Sequence, residues 1–138
     1  MRNKVLVNIC LLLLFFPFWV WSEEKVTFTA SAPKLLEVGE QFQLKFTVSS
    51  SDTLSFADVK SLIIPQMQDF EILFGPARSV QKRERNISGK NIIRHEIVYL
   101  YILSSPNAGK FKIPEASIMV QNQRLNSNPL FIRVVPNE

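Results

Sequence analysis

Histidine is the side chain that most often joins acid–base chemistry to metal binding, and this chain has one, His95. A zinc site needs several ligands, and a nucleophilic triad needs a serine and an aspartate converging on the imidazole. His95 stands between Arg94 and Glu96 in an apolar-rich run, so it is expected to be an ordinary strand residue. Paired carboxylates are the second chemistry to weigh, since two can share general acid–base work. Asp69 with Glu71, or Asp52 with Asp58, are the formally possible pairs. Alternation along a strand puts Asp69 and Glu71 on one face, opposite Phe70 and Ile72, where carboxylates serve solubility. The chain has only four glycines, and no nucleophile elbow, phosphate-binding loop or dinucleotide fingerprint occurs. No catalytic, cofactor-binding or metal-binding residue is predicted, and the protein is expected not to be an enzyme.

Three other groups carry interaction chemistry. Arg78, Lys82, Arg83, Arg85, Lys90 and Arg94 crowd one stretch, relieved by Glu84. A solvated ribbon of this kind keeps an exposed sheet edge from pairing with other chains. It can also meet an acidic partner or lipid headgroups, and Arg78, Lys82, Arg83, Arg85 and Lys90 form the candidate partner-binding ribbon. Asn86-Ile87-Ser88 matches the glycosylation sequon, a pattern short enough to arise by chance. Tyr99 and Tyr101 share one strand face, where core packing or a hydroxyl-anchored corner is expected.

These residues need a scaffold, and the N-terminus states where it goes. Arg2 and Lys4 precede an uncharged run from Val5 to Val20, and Ser22 offers a small residue before Glu23-Glu24-Lys25. Residues 1–22 therefore read as a cleavable secretory signal. The run is too short, and too early broken by Pro17, for the roughly 20 apolar residues of a membrane helix. The alternative is an uncleaved anchor with Trp19 and Trp21 at the interface. Cys10, the only cysteine, leaves with the signal, so the mature chain can form no disulfide. The loss of Arg2 and Lys4 leaves 14 basic side chains of the original 16 against 12 acidic ones, a net charge of +2. That balance does not call for nucleic acid.

Residues 23–138 show a period of two. Val26, Phe28 and Ala30 alternate with threonines, and Phe42, Leu44, Phe46 and Val48 alternate with polar residues, one face turned to a core and the other to water. Phe70, Ile72 and Phe74 form a shorter run. Ile92 to Leu103 forms the longest, apolar on both faces from Ile97 onward. Ile118 with Val120, then Leu130, Ile132 and Val134, complete the set. Gly39, Gly75-Pro76, Ser88-Gly89, Ser105 to Gly109 and Asn126 to Pro129 break the alternation. Gln121-Asn122-Gln123-Arg124 reads as a tight hairpin with Asn122 at positive φ. Ser55 to Leu62 is the only helix candidate, limited by Pro65. The predicted core is Phe28, Phe42, Leu44, Phe46, Phe70, Ile72, Val98, Leu100, Ile118, Ile132 and Val134. Short strands so punctuated predict one all-β domain over residues 23–138, an immunoglobulin-like antiparallel β-sandwich.

Val26 to Ala30, Val38-Gly39-Glu40-Gln41-Phe42 and Phe70 to Pro76 also resemble, in order, the start of BatD proteins. Ser88-Gly89, Tyr99-Leu100-Tyr101, Gly109 to Ala116 and Ser127 to Ile132 continue the match, so the resemblance spans nearly all of residues 25–135. It implies an exported protein of the aerotolerance (oxygen-tolerance) group, built from immunoglobulin-like domains in the periplasm or cell envelope. It implies partners too: von Willebrand A-type and TPR-containing Bat proteins and a MoxR-type ATPase. BatD proteins continue into further domains and a membrane helix, so this chain is expected to be a fragment or a shortened relative. Membrane contact is then expected only through a longer chain or an uncleaved signal. The expected function is a non-catalytic envelope interaction module. The alternatives are a free periplasmic binding or chaperone-like sandwich and, less favoured, an adhesin or carbohydrate-binding module. Sugar sites usually expose tryptophan, and both tryptophans here belong to the signal.

Overall fold

The computed structural model describes residues 25–137; the predicted signal, residues 1–22, lies outside the described residues. Ten strands follow in order: β1 (Val26–Ser31), β2 (Leu35–Glu37), β3 (Gln41–Ser50), β4 (Val59–Ile63), β5 (Glu71–Ile87), β6 (Lys90–Ser104), β7 (Gly109–Ile113), β8 (Ser117–Val120), β9 (Gln123–Asn126) and β10 (Leu130–Val135). Strand β3 shows why they form. Phe42, Leu44, Phe46 and Val48 are buried while Gln41, Gln43 and Lys45 are exposed, the pattern that a half-covered pleat requires.

The first layer is a four-stranded antiparallel sheet in the order β1-β3-β6-β5, the A-B-E-D order of an immunoglobulin-type sandwich. The second layer is one long kinked hairpin. Strand β7 pairs with β10, and β8 with β9; Pro114 and Pro129 sit where both arms bend. At the kink the Ser127 N–H donates to the Ala116 carbonyl at 2.8 Å, and the Ala116 N–H donates to Ser127 Oγ at 2.9 Å. Strand β4 joins β8, and β2 joins β10 in parallel, the one parallel pair in an otherwise antiparallel arrangement. The two layers make the predicted all-β sandwich.

Aromatic rings fill the core, and the contact of Phe70 with Phe111 on β7 joins one layer to the other. Phe46 stacks on Phe28 and meets Tyr101 edge-on, each with centroids 6.0 Å apart. Phe70 meets Phe42 at 5.6 Å and Phe111 at 5.7 Å, spacings that favour offset and edge-to-face contacts. The hairpin kink is also pinned to the first sheet through Asn128. Asn128 Oδ1 accepts from the Ala30 N–H at 2.9 Å, and Asn128 Nδ2 donates to the Ala30 carbonyl at 3.2 Å. One side chain thus continues the ladder of β1.

Nine of the eleven predicted core residues are buried, Ile72 and Leu100 being the exceptions, but strand β6 faces the other way from the prediction. Ile97, Tyr99, Tyr101 and Leu103 enter the core, whereas Val98, though buried, and the half-buried Leu100 lie on the outer face. A strand apolar on both faces does not specify its own phase; pairing with β3 sets it, placing Tyr99 beside Phe46 and Leu103 beside Phe42. Ile72 is 46 % exposed, because β5 is an edge strand whose pairing shifts register between Ile72 and Ala77. The helix candidate is replaced by a single turn of 3-10 helix, Phe56–Asp58, followed at once by β4. The Asp58 carboxylate accepts from the Ser55 N–H at 2.8 Å and from its hydroxyl at 3.1 Å, which closes one turn and holds Asp58 below the usual carboxylate pKa. Val59 then packs into the core opposite Val120.

Candidate partner-binding surface

The basic ribbon falls on the β5–β6 hairpin. Ser88 and Gly89 close it in a two-residue turn with φ of 53° and 80°, the doubly positive geometry that matches strand twist. Strand β3 ends at Ser50, opposite His95. Beyond that point the register runs from Arg83↔Arg94 to Ile87↔Lys90 with no third strand. Five residues at about 3.3 Å each make an arm of roughly 16 Å. Ile87, Ile92 and Ile93 stand on it 49 %, 41 % and 38 % exposed.

Register sorts the basic residues into two sets. Directly paired residues share a face, so Arg83, Arg85, Lys90 and Arg94 lie on the outer face with Ile87 and Ile92. Arg78 and Lys82 lie on the opposite face, in line with Tyr99 and His95. The candidate ribbon is therefore not one patch. Arg78 leaves it to cover the Phe56 ring, 4.5 Å from its centroid, and it opposes the burial that raises the Tyr99 phenol pKa. Burial raises Tyr101 likewise.

Arg83, Arg85 and Arg94 of the outer set line a shallow concavity with Thr27, Ser49, Ile92 and Glu96. Arg94 is fixed there: its Nε donates to Ser49 Oγ at 3.0 Å and its Nη2 to the Ser49 carbonyl at 3.2 Å. Arg83 Nε lies 3.7 Å from the largely buried Glu96 carboxylate. Arg85 and Lys90 form no ion pair among the described residues, so the charge at the tip is presented outward. Lys82 pairs with Glu84 at 3.8 Å, both well exposed, a contact worth little in water.

The other residues weighed for chemistry are placed apart. Asp52 pairs with Lys25 at 3.2 Å, and Asp58 caps its own turn. Asp69 and Glu71 are both exposed, on either side of buried Phe70. Among the described residues no group of three or more His, Cys, Asp or Glu gathers to hold a metal ion. Asn86 is exposed on the arm, opposite Asn91. Sequence reasoning missed the free length of β5. It expected a short strand ending near Phe74 and a separate basic hairpin, whereas Glu71–Ile87 is one strand that pairs with β6 and is the sheet's last. The signal for this was the similar length of 71–87 and the long run that follows Gly89, 17 and 15 residues.

Residues 29–134 match the family model described as "BatD DUF11 like domain". No curated protein matches.

Proposed function

The chain belongs to the BatD family, and on that premise we propose that it is a non-catalytic, exported interaction module of the cell envelope, binding a polypeptide partner along β5. The observation that carries this reading is the free edge of β5. Its seventeen residues lie at the end of the β1-β3-β6-β5 sheet, so alternate N–H and C=O groups have no strand beyond them. An extended segment of another chain can add there as a fifth strand. The arm supplies Arg83, Arg85 and Lys90 for encounter with an acidic partner; rim charges of this kind govern association rate more than final affinity. Export rests on the signal-like residues 1–22, and no helix among the described residues is long and apolar enough to cross a membrane. The partners proposed are the von Willebrand A-type and TPR-containing Bat proteins, acting with a MoxR-type ATPase.

A second reading, a chaperone-like sandwich, draws on the same edge, because main-chain pairing does not depend on the guest's sequence. The test is retrieval from envelope extract with residues 23–138 as tethered bait. Recovery of a von Willebrand A-type or TPR partner supports the assembly role, and a broad set of unrelated extended polypeptides supports the second reading. If neither appears while a glycan array yields a ligand, both readings fail. Arg83→Glu with Arg85→Glu should slow association with the recovered partner by about tenfold at low salt and flatten its salt dependence.

A further inference from the structure

We propose that the outer face of the β2-β10-β7 sheet docks on an anionic phospholipid surface. Phe131 is 67 % exposed and Leu35 63 %, the two highest values among the large apolar residues described. Register surrounds them with cations. Phe131 is opposite Lys112, and Arg133 lies between Lys110 on β7 and Leu35 on β2; Lys34 adjoins. The Lys112 ammonium sits 5.8 Å from the Phe131 ring. Lys34, Lys110, Lys112 and Arg133 are all exposed, and none forms an ion pair among the described residues. Glu37, opposite Val135 at the far end of β2, is the acidic residue that shares the face.

The chemistry of this array selects its occupant. Three neighbouring strands about 4.8 Å apart gather these cations around one exposed ring, and together they line an open concavity from which Phe131 projects, 67 % exposed. An acidic protein partner would have to bring its own pocket for the Phe131 ring. A bilayer needs none: the ring enters the acyl boundary while the lysine stems lie along it and their ammonium groups stay at phosphate level. Each cation near an anionic leaflet strengthens binding about fivefold. This contact requires neither a longer chain nor a retained signal. It uses the layer opposite the β1-β3-β6-β5 sheet, so the arm and the β5 edge remain free.

The experiment is sedimentation of residues 23–138, whose core lies within residues 28–134, with vesicles of mixed phosphatidylglycerol and phosphatidylcholine. Retention on these vesicles but not on pure phosphatidylcholine, weakening as salt rises, is expected. Lys110→Gln with Lys112→Gln should weaken retention by about 25-fold, and Phe131→Ser should weaken it too. Both variants alter exposed positions, and circular dichroism checks that they stay folded. Arg83→Gln with Arg85→Gln should retain wild-type binding, which separates this face from the arm. Loss of retention in the arm variant with none in the Lys110/Lys112 variant overturns the proposal. So does absence of retention on anionic vesicles, including the case where a polyglutamate peptide binds instead.

Discussion

At the scale of single residues, two side chains carry more of the sandwich than their size suggests. Phe46 is fully buried between Phe28 and Tyr101. Phe46→Ala should lower stability by about 3–5 kcal/mol, a large part of the roughly 5–15 kcal/mol a domain possesses. Its exposed neighbour Lys45 should tolerate alanine with a change within about 0.5 kcal/mol; a denaturant titration of both variants checks the contrast. Asn128 works by hydrogen bonding. Its amide satisfies both main-chain groups of Ala30, and Asn128→Ala leaves that donor and acceptor partly buried without partners. Urea unfolding should show a loss of about 1–3 kcal/mol, which a merely decorative loop asparagine would not give.

At the scale of elements, β5 depends on one glycine. Gly75 has φ of +120°, and a Cβ placed on it would lie 2.7 Å from the Leu100 carbonyl oxygen and 2.9 Å from the Tyr101 ring. It sits within the register shift between Phe74 and Ala77, so the strand crosses β6 closely at the point where its alternation changes face. Gly75→Ala should cost about 1–3 kcal/mol by crowding and backbone strain together. Gly89→Ala, at the open hairpin tip with no atom within 4 Å of its Cβ, should cost less. Thermal unfolding of the two variants gives the comparison. The same element shows why its exposure escaped a reading by alternation: Phe70, Ile72 and Phe74 keep a period of two through the bulge, yet only Phe70 is covered.

At the scale of the whole molecule, the sandwich has two outward faces with different charge arrangements, an arm on one layer and a ringed phenylalanine on the other. For these to meet envelope partners the chain must be exported, and the proposed signal is expected to be removed after Ser22. Intact-mass measurement on the exported protein should give a chain that starts at Glu23. A species retaining Trp19 and Trp21 would contradict removal and point to an anchor.

The alternation in β1, β3 and β10 was enough to identify strands, their buried faces and the sandwich, because each offers one apolar face and hydrophobic burial then leaves a single choice. The turns at Ser88-Gly89 and Gln121-Asn122 were legible too, and both are built with positive φ, as short polar residues and glycine permit. The basic residues of the candidate surface were all visible as a run, but not their division. That Arg78 turns to Phe56 while Arg83 and Arg85 face out depends on a register fixed by bulges and by the neighbouring strand. The phase of β6 was likewise open in the sequence, since both of its faces are apolar, and it was settled by β3. The cationic ring around Phe131 was beyond any local pattern: Leu35, Lys110 and Arg133 are distant in sequence and become neighbours only when β2 and β7 pair with β10. Local chemistry determines what each strand can bury, whereas which strands lie side by side is decided by the packing of the whole chain.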